Sequence, residues 1–146
     1  MKVLFDTSAL VTAVVDQLSN HEAALACYRK FVHPRRGGAT AMCSTHAIAE
    51  CYATLTALPL GRRIQPAEAL RLIEENFVRH LEVVPLSVAD YKAAVSRVAA
   101  LGLRSGAVYD ALHARCAEQR GCDRIITYNT ADFERLKPPG IEISTP

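Results

Sequence analysis

Several patterns that assign a chain to a common class of protein are missing from this sequence. It has no Cys-x-x-Cys pair of the kind that binds zinc or performs redox chemistry, although it has five cysteines. It has no P-loop or glycine-rich dinucleotide fingerprint, which argues against a nucleotide-dependent enzyme. No apolar run is long enough for a signal peptide or a membrane span. We therefore expect a cytoplasmic protein with free thiols and no membrane association.

The composition that remains is that of a folded globular protein. Half of the 146 residues are hydrophobic and 22% are charged, and no repeat or low-complexity tract occurs. A chain of this length is sufficient to bury one core. We expect a single domain over residues 1–146.

Short apolar segments alternate with amphipathic ones along the chain. The predicted strands are residues 2–5, 39–43, 81–86 and 124–128, with a fifth over residues 141–144. The segments between them have helical periodicity and begin at capping residues such as Ser44, Pro66 and Ser87. This alternation predicts an α/β fold in which a parallel sheet is covered on both faces. In such a sheet the functional crevice lies beyond the carboxyl ends of the strands.

Two acidic residues follow predicted strands and are expected at that crevice. Asp6 comes directly after the first strand, and Asp132 follows the fourth. Each has a structural alternative, because a carboxylate in either position also caps the helix that comes next. Their positions at one sheet edge nevertheless favour a shared site.

Two further acids lie on predicted helices. Glu50 is the only formal charge on its helix and is surrounded by small residues, which is unusual for a solvent-facing glutamate. Asp110 lies near the start of its helix, where the helix dipole favours an acid for structural reasons alone. Ala114 and Ala117 on the same side leave room for an ion or a phosphate beside Asp110. The four acids are informative as a set rather than singly.

Carboxylates that share one crevice repel one another unless a cation neutralises them. Mg²⁺ or Mn²⁺ suits such a site, because both ions prefer oxygen ligands and accept a few carboxylates together with water. An ion of this kind polarises a phosphodiester and activates a water molecule for attack. The pattern therefore indicates phosphodiester hydrolysis.

Four short motifs in order resemble a PIN domain over essentially the whole chain. They are Phe5-Asp6-Thr7-Ser8-Ala9-Leu10, Ala49-Glu50-Cys51-Tyr52, Tyr109-Asp110-Ala111-Leu112 and Thr127-Tyr128-Asn129-Thr130-Ala131-Asp132-Phe133. The length of the chain is similar to that of the VapC toxins of type II toxin–antitoxin pairs. The resemblance implies a three-layer α/β/α fold with four to five parallel strands, and Mg²⁺- or Mn²⁺-dependent endonucleolytic cleavage of tRNA, mRNA or rRNA. It also implies a homodimer and a cognate antitoxin protein that occupies the groove.

The resemblance also assigns roles to individual residues. Asp6, Glu50 and Asp110 match the three core acids of the family. At the fourth position an amide, Asn129, stands where some relatives have an acid, and Asp132 follows three residues later. Either of the two completes the metal site, with Asp132 preferred. Supporting hydrogen bonds are expected from four residues, namely Thr7, Ser8, Thr127 and Asn129.

Basic residues outside the acidic set suggest how a polyanion binds. With four of the fifteen acidic residues assigned to one pocket, eleven remain against seventeen basic residues. Five arginines lie in predicted loops and are candidates for contacts with RNA phosphates or, alternatively, are solvated loop charges. They are Arg35, Arg36, Arg62, Arg63 and Arg104. Two helix histidines, His46 and His113, are spaced to approach the acids but are interpreted as structural.

Other families with an acid after the first strand fit less well. A haloacid-dehalogenase-like phosphatase needs a second acid two residues later, where this chain has Ser8. A receiver domain needs an acidic pair there and a lysine after the last core strand, and neither is evident. A PIN fold that binds RNA or protein without cutting remains the serious alternative.

Overall fold

The computed structural model describes residues 1–33 and 38–146. Its five strands are β1 (Lys2–Phe5), β2 (Thr40–Ser44), β3 (Glu82–Val84), β4 (Arg124–Ile126) and β5 (Glu142–Ser144). They form one sheet in the order β3-β2-β1-β4-β5, and every neighbouring pair is parallel. The predicted α/β class and the five parallel strands are confirmed.

Helices connect the strands on both faces of the sheet. They are α1 (Thr7–Val14), α2 (His21–Val32), α3 (Thr45–Ala57), α4 (Pro66–Leu72), α5 (Val88–Ala100), α6 (Ala107–Arg120) and α7 (Thr130–Leu136). A π-helical segment, Ile73–Val78, continues α4. The longest of these helices has 14 residues, and none within the described ranges has the length and apolarity of a membrane span.

The sheet separates two hydrophobic cores because side chains alternate along each strand. Val3 and Phe5 of β1 pack into the core that contains α1 to α4. Leu4, between them, packs into the core formed with α5, α6 and α7. All three side chains are buried. The architecture is therefore three-layered, as expected, and β1 lies at its centre.

The register of the central strands determines where the first predicted acid lies. Phe5, the last residue of β1, is paired with Ile126, the last residue of β4. The backbone N–H of Asp6 then donates to the carbonyl of Ile126 at 3.0 Å. Asp6 and Thr127 consequently leave the sheet side by side, although 121 residues separate them in the chain.

Three strands are shorter than predicted. The fifth comprises Glu142–Ser144 rather than residues 141–144. The third comprises Glu82–Val84 rather than residues 81–86, and the fourth ends at Ile126 rather than at Tyr128. The Thr127 N–H still donates to the carbonyl of Ser144, but beyond Thr127 the backbone is held by side chains. Tyr128 donates its N–H to Ser8 Oγ, and Asn129 donates its N–H to Thr127 Oγ1, each at 2.9 Å. The strand ends where the functional residues begin.

Candidate active site

The acidic residues gather at a cleft beyond the carboxyl ends of β1 and β4. The cleft has a volume of about 410 Å³. Its lining residues are Glu50, Arg104, Gly106, Ala107, Tyr109, Asp110, Asn129, Asp132 and Arg135. Asp6 lies deeper and is only 1% exposed. The structure thus brings together elements that are distant in the sequence, as the strand order requires.

Asp6 is held rigidly by hydroxyl groups. Its Oδ2 accepts hydrogen bonds from Ser8 Oγ and from Thr127 Oγ1, both at 2.8 Å, and from the Ser8 backbone N–H at 3.3 Å. Both hydroxyls in turn accept backbone N–H groups, so their single protons are committed to Asp6. Oδ1 of Asp6 accepts no hydrogen bond in the described part of the chain and faces His113 at 3.6 Å. One carboxylate oxygen is therefore used for positioning and the other is left for a ligand.

The supporting residues proposed from the sequence take different positions. Ser8 and Thr127 contact Asp6 directly, as proposed. Asn129 lines the cleft, and its side chain makes no capping bond to α7. The Thr7 hydroxyl is buried and makes no regular hydrogen bond within the described ranges. It lies near Glu50 and helps to lower the pKa of that carboxyl.

Glu50 is positioned by two histidines. Its Oε2 lies 3.1 Å from His113 Nε2 and 3.4 Å from His46 Nε2. Burial opposes ionisation, but the hydrogen bond from His113 and the charges of both histidines outweigh it and lower the pKa of Glu50. Glu50 is accordingly an ionised carboxylate at the cleft wall.

His113 lies at the centre of the acidic cluster, and its interpretation as a merely structural helix histidine was incomplete. It is completely buried, and its Nδ1 lies 3.0 Å from Ser44 Oγ. Burial disfavours the charged ring, yet the hydrogen bond to Glu50 and the charges of Asp6, Glu50 and Asp110 raise the pKa of His113. Its position three residues after Asp110 placed it on the right face of α6, but nothing local identified its partners. His113 therefore links the N-terminus of α3 to two of the acids.

Asp110 experiences the crowding that the sequence predicted. Burial, followed by the charge of Asp6, raises its pKa from 3.8 to about 7. Asp132 and Glu50 contribute in the same direction, while His113 opposes them. The carboxylates are thus close enough to repel one another, which is the electrostatic condition that a bound cation relieves.

The two candidates for the fourth ligand both line the cleft. Asp132 forms an ion pair with Arg135 and is partly exposed at the rim. Asn129 precedes α7 and presents an amide to the same space. The structure brings both within the cleft, so a contact through water is open to either side chain.

The described arginines among those predicted to bind RNA do not all lie at the acidic cleft. Arg104 lines the acidic cleft. Arg62 instead pairs with Glu68 at 2.9 Å and lines a separate cleft beside α1. Arg63 is exposed in the same loop as Arg62. Arg35 and Arg36 lie outside the described residues. Arg135, which the sequence had not singled out, joins Arg104 at the acidic cleft.

The residues of the cleft fit a hard cation that keeps part of its water shell better than a cation coordinated entirely by protein atoms. Within residues 1–33 and 38–146, no three His, Cys, Asp or Glu side chains form a ready-made ligand shell. Mg²⁺ does not need such a shell, because it keeps several waters and commonly binds through one or two carboxylates. Two acids are best suited to hold it. Asp6 offers Oδ1, which accepts no hydrogen bond from residues 1–33 or 38–146, and Asp110 has a pKa raised by burial and by its acidic neighbours.

Replacing Asp110 by asparagine is expected to change the pH dependence of stability in the metal-free protein. A carboxyl whose pKa is raised to about 7 by folding destabilises the folded state progressively as pH rises from 3.8 to about 7. Asp110→Asn removes this loss. Between pH 4 and pH 8 the free energy of unfolding of the variant, relative to that of the parent, should therefore rise by about 1–2 kcal/mol. Urea unfolding at both pH values, with EDTA present, measures the difference. An identical pH profile in the parent and the variant would contradict the crowding of the acids.

Known proteins with similar sequences and structures support one assignment. Residues 3–137 match the family described as PIN domain. The chain is 32% identical to Ribonuclease VapC27 of Mycobacterium tuberculosis over 121 residues, which are 78% of this chain and 75% of the relative. It is 27% identical to Ribonuclease VapC40 of the same organism, covering 90% of this chain and 92% of the relative.

Solved structures share the fold at low sequence identity. VapC20 of Mycobacterium tuberculosis, a Sarcin-Ricin loop cleaving toxin, superimposes with a TM-score of 0.74 at 14% identity, covering 94% of this chain and 97% of that one. VapBC2 from Rickettsia felis, solved with a DNA fragment from its promoter, has a TM-score of 0.67 at 18% identity and covers 99% and 98%. The family match extends from β1 to the end of α7 and includes every acid of the cleft, so the chain belongs to the PIN-domain family.

Proposed function

We propose that this protein is a metal-dependent endoribonuclease that hydrolyses RNA phosphodiester bonds, and that it is the toxin of a type II toxin–antitoxin pair. The observation that carries the proposal is the convergence of Asp6, Glu50 and Asp110 at one cleft, with the pKa of Asp110 raised by its neighbours. The names of the relatives, Ribonuclease VapC27 and Ribonuclease VapC40, support RNA as the substrate. A PIN fold that only binds RNA would not need these acids intact.

The resident cofactor in this proposal is Mg²⁺ or Mn²⁺. Asp6, Glu50 and Asp110 would hold it, with Asp132 or Asn129 completing the site, directly or through water. When bound, such an ion polarises the scissile phosphate and lowers the pKa of a water molecule that attacks it. Asp110, whose pKa is raised by burial and by the neighbouring carboxylates, would be stabilised in its ionised form by such a charge.

The protein's own residues position the reactants. Ser8 and Thr127 fix the Asp6 carboxylate, so it need not reorganise when the charge of the substrate arrives. His113 and His46 both contact Oε2 of Glu50 and thereby orient its carboxylate. Arg104 and Arg135 lie at the rim of the same cleft, where guanidinium groups suit phosphate oxygens. A basic rim thus lets a negatively charged substrate approach an acidic floor.

Partner proteins follow from the same proposal. Solved relatives include VapBC complexes, among them VapBC-1 from nontypeable Haemophilus influenzae. We propose that a cognate antitoxin binds this chain, that the chain forms a homodimer, and that it acts in the cytoplasm. Co-expression with the protein encoded by the adjacent upstream open reading frame, followed by affinity capture and mass determination, tests the antitoxin.

A cleavage assay tests the catalytic proposal directly. The purified protein is incubated with total RNA and with a mixed-sequence oligoribonucleotide in Mg²⁺, in Mn²⁺ and in EDTA. We expect discrete cleavage products with either metal and none in EDTA. RNA that is bound but remains intact in all three conditions would instead support the non-cutting alternative.

Removing positive charge from the cleft should weaken RNA binding more than removing it elsewhere. The double change Arg104→Ala with Arg135→Ala deletes two rim guanidinium groups, whereas Arg62→Ala with Arg63→Ala deletes two charges outside that cleft. We expect the first pair to reduce the affinity for RNA by about tenfold at low salt. The slope of log affinity against log salt concentration should also become shallower, by the contribution of about two phosphate contacts. A salt titration of RNA binding compares the two variants. Equal losses, or a larger loss for Arg62 and Arg63, would exclude the cleft arginines as the main backbone contacts.

A further inference from the structure

An exposed aromatic ring lies at the edge of the acidic cleft. Tyr109 immediately precedes Asp110 on α6, lines the cleft and is 47% exposed. Gly106, one turn earlier, has no side chain to cover the ring. A Cβ at that position would approach Tyr109 Cδ2 to 3.9 Å. The ring is therefore accessible beside the groups to which we assign phosphodiester hydrolysis.

One face of the Tyr109 ring packs against His46, a residue of the same site. Tyr109 stacks on the His46 imidazole with the ring centroids 4.8 Å apart and an interplanar angle of 24°. His46 is in turn held by Glu50 at 3.4 Å and contacts Tyr91 edge to face. A ring fixed in this way loses little conformational freedom when a second planar group stacks upon it. The arrangement is a pre-oriented aromatic surface anchored to a proposed metal ligand.

Stacking surfaces combined with a basic groove are the usual means of binding single-stranded nucleic acid. Every base has a π-face, so an aromatic ring accepts an unpaired base with little sequence preference. At this cleft the arginines Arg104 and Arg135 supply positive charge beside the ring. A base stacked on Tyr109 would place its own phosphates near Asp110, because both side chains line the same cleft.

We propose that Tyr109, backed by His46, is a stacking subsite for an unpaired nucleobase next to the scissile phosphate. This inference rests on the proposed ribonuclease function and assigns the contact with one unpaired base to the Tyr109 ring. In a continuous duplex the bases are stacked within the helix and cannot reach a protein ring without being flipped out.

The experiment uses an oligoribonucleotide with 2-aminopurine at one position, whose fluorescence is quenched by stacking. Binding is measured with Mg²⁺ in an Asp6→Asn background, which prevents cleavage, and the same 2-aminopurine probe is also presented within a duplex. Three substitutions are added singly to the Asp6→Asn background, namely Tyr109→Ala, Tyr109→Phe and Tyr52→Ala. Tyr52 is a matched control, since it is 40% exposed but does not line the cleft. Gel filtration of each variant reports the oligomeric state.

We expect Tyr109→Ala to weaken binding of the single strand by about 5- to 150-fold and to abolish the quenching. Tyr109→Phe, which keeps the ring, and Tyr52→Ala should bind and quench like the background. The duplex probe should bind more weakly than the single strand.

Unchanged binding and quenching in Tyr109→Ala would overturn the subsite while leaving the nuclease proposal intact. A shift of Tyr109→Ala to a smaller species on gel filtration would overturn it too, because the ring would then belong to an interface between copies. Failure of the parent protein to bind or cleave any RNA would refute the nuclease function and this inference together.

Discussion

Replacing Asp6 by asparagine is expected to lower the rate of metal-dependent RNA cleavage by at least about a hundredfold, because each 1.4 kcal/mol of lost charge stabilisation costs a factor of ten. Asparagine has nearly the same shape, and its carbonyl oxygen can still accept the hydroxyl protons of Ser8 and Thr127. The substitution therefore removes the charge that faces the cleft while retaining the local packing. Initial rates on one oligoribonucleotide in Mg²⁺ measure the effect.

The control for Asp6→Asn is Asp16→Asn, which removes an exposed carboxylate that lines the cleft beside α1. That variant should cleave RNA at the parental rate. Circular dichroism and thermal unfolding establish that both proteins are folded. Parental activity in a folded Asp6→Asn protein would remove Asp6 from the proposed metal site.

Replacing His113 by alanine is expected to destabilise the protein by about 2–4 kcal/mol, which is the largest stability effect among the site variants. The ring is completely buried, so its removal leaves a cavity. It also deprives Glu50 and Asp6 of the imidazole that lies between them, and removes the contact of the Ser44 hydroxyl with Nδ1 of His113. Urea unfolding at pH 7 measures the loss.

Two variants separate the role of His113 from general sensitivity to mutation. His80→Ala alters an exposed histidine and should change the unfolding free energy by no more than about 0.5 kcal/mol. His113→Gln retains an amide that can donate to Glu50 and should recover part of the lost stability. If His113→Ala were as stable as His80→Ala, the central position of the ring would have no energetic consequence.

Local sequence patterns were sufficient to predict the sheet and the position of the main acids at one of its edges. Asp6 was predictable because it ends a short apolar strand, and in a parallel sheet every such end reaches the same edge. Glu50 was predictable because it is the single formal charge on a helix whose residues around it are mostly small. In both cases the sequence pattern lies within one element, and the topology of the sheet brings the elements to the same cleft.

The contacts that hold the acids in place were not predictable in the same way. Asp6 is bound by Thr127, and Glu50 by His113, across 121 and 63 residues of chain. Such pairs depend on strand register and on the crossing of α3 with α6, which no local pattern specifies. The position of Arg62 at a different cleft was not predictable for the same reason. A basic loop signals exposure, but the side of the molecule that it reaches depends on tertiary packing.

Mn²⁺ titration tests whether the acids of this cleft bind a divalent cation, and it does so without relying on catalysis. Isothermal titration calorimetry and the loss of the free Mn²⁺ electron paramagnetic resonance signal are followed for the parent, Asp110→Asn and Asp16→Asn. We expect saturable binding by the parent and by Asp16→Asn, and at least tenfold weaker binding by Asp110→Asn. Equal affinity in all three proteins, or no binding by the parent, would contradict this expectation.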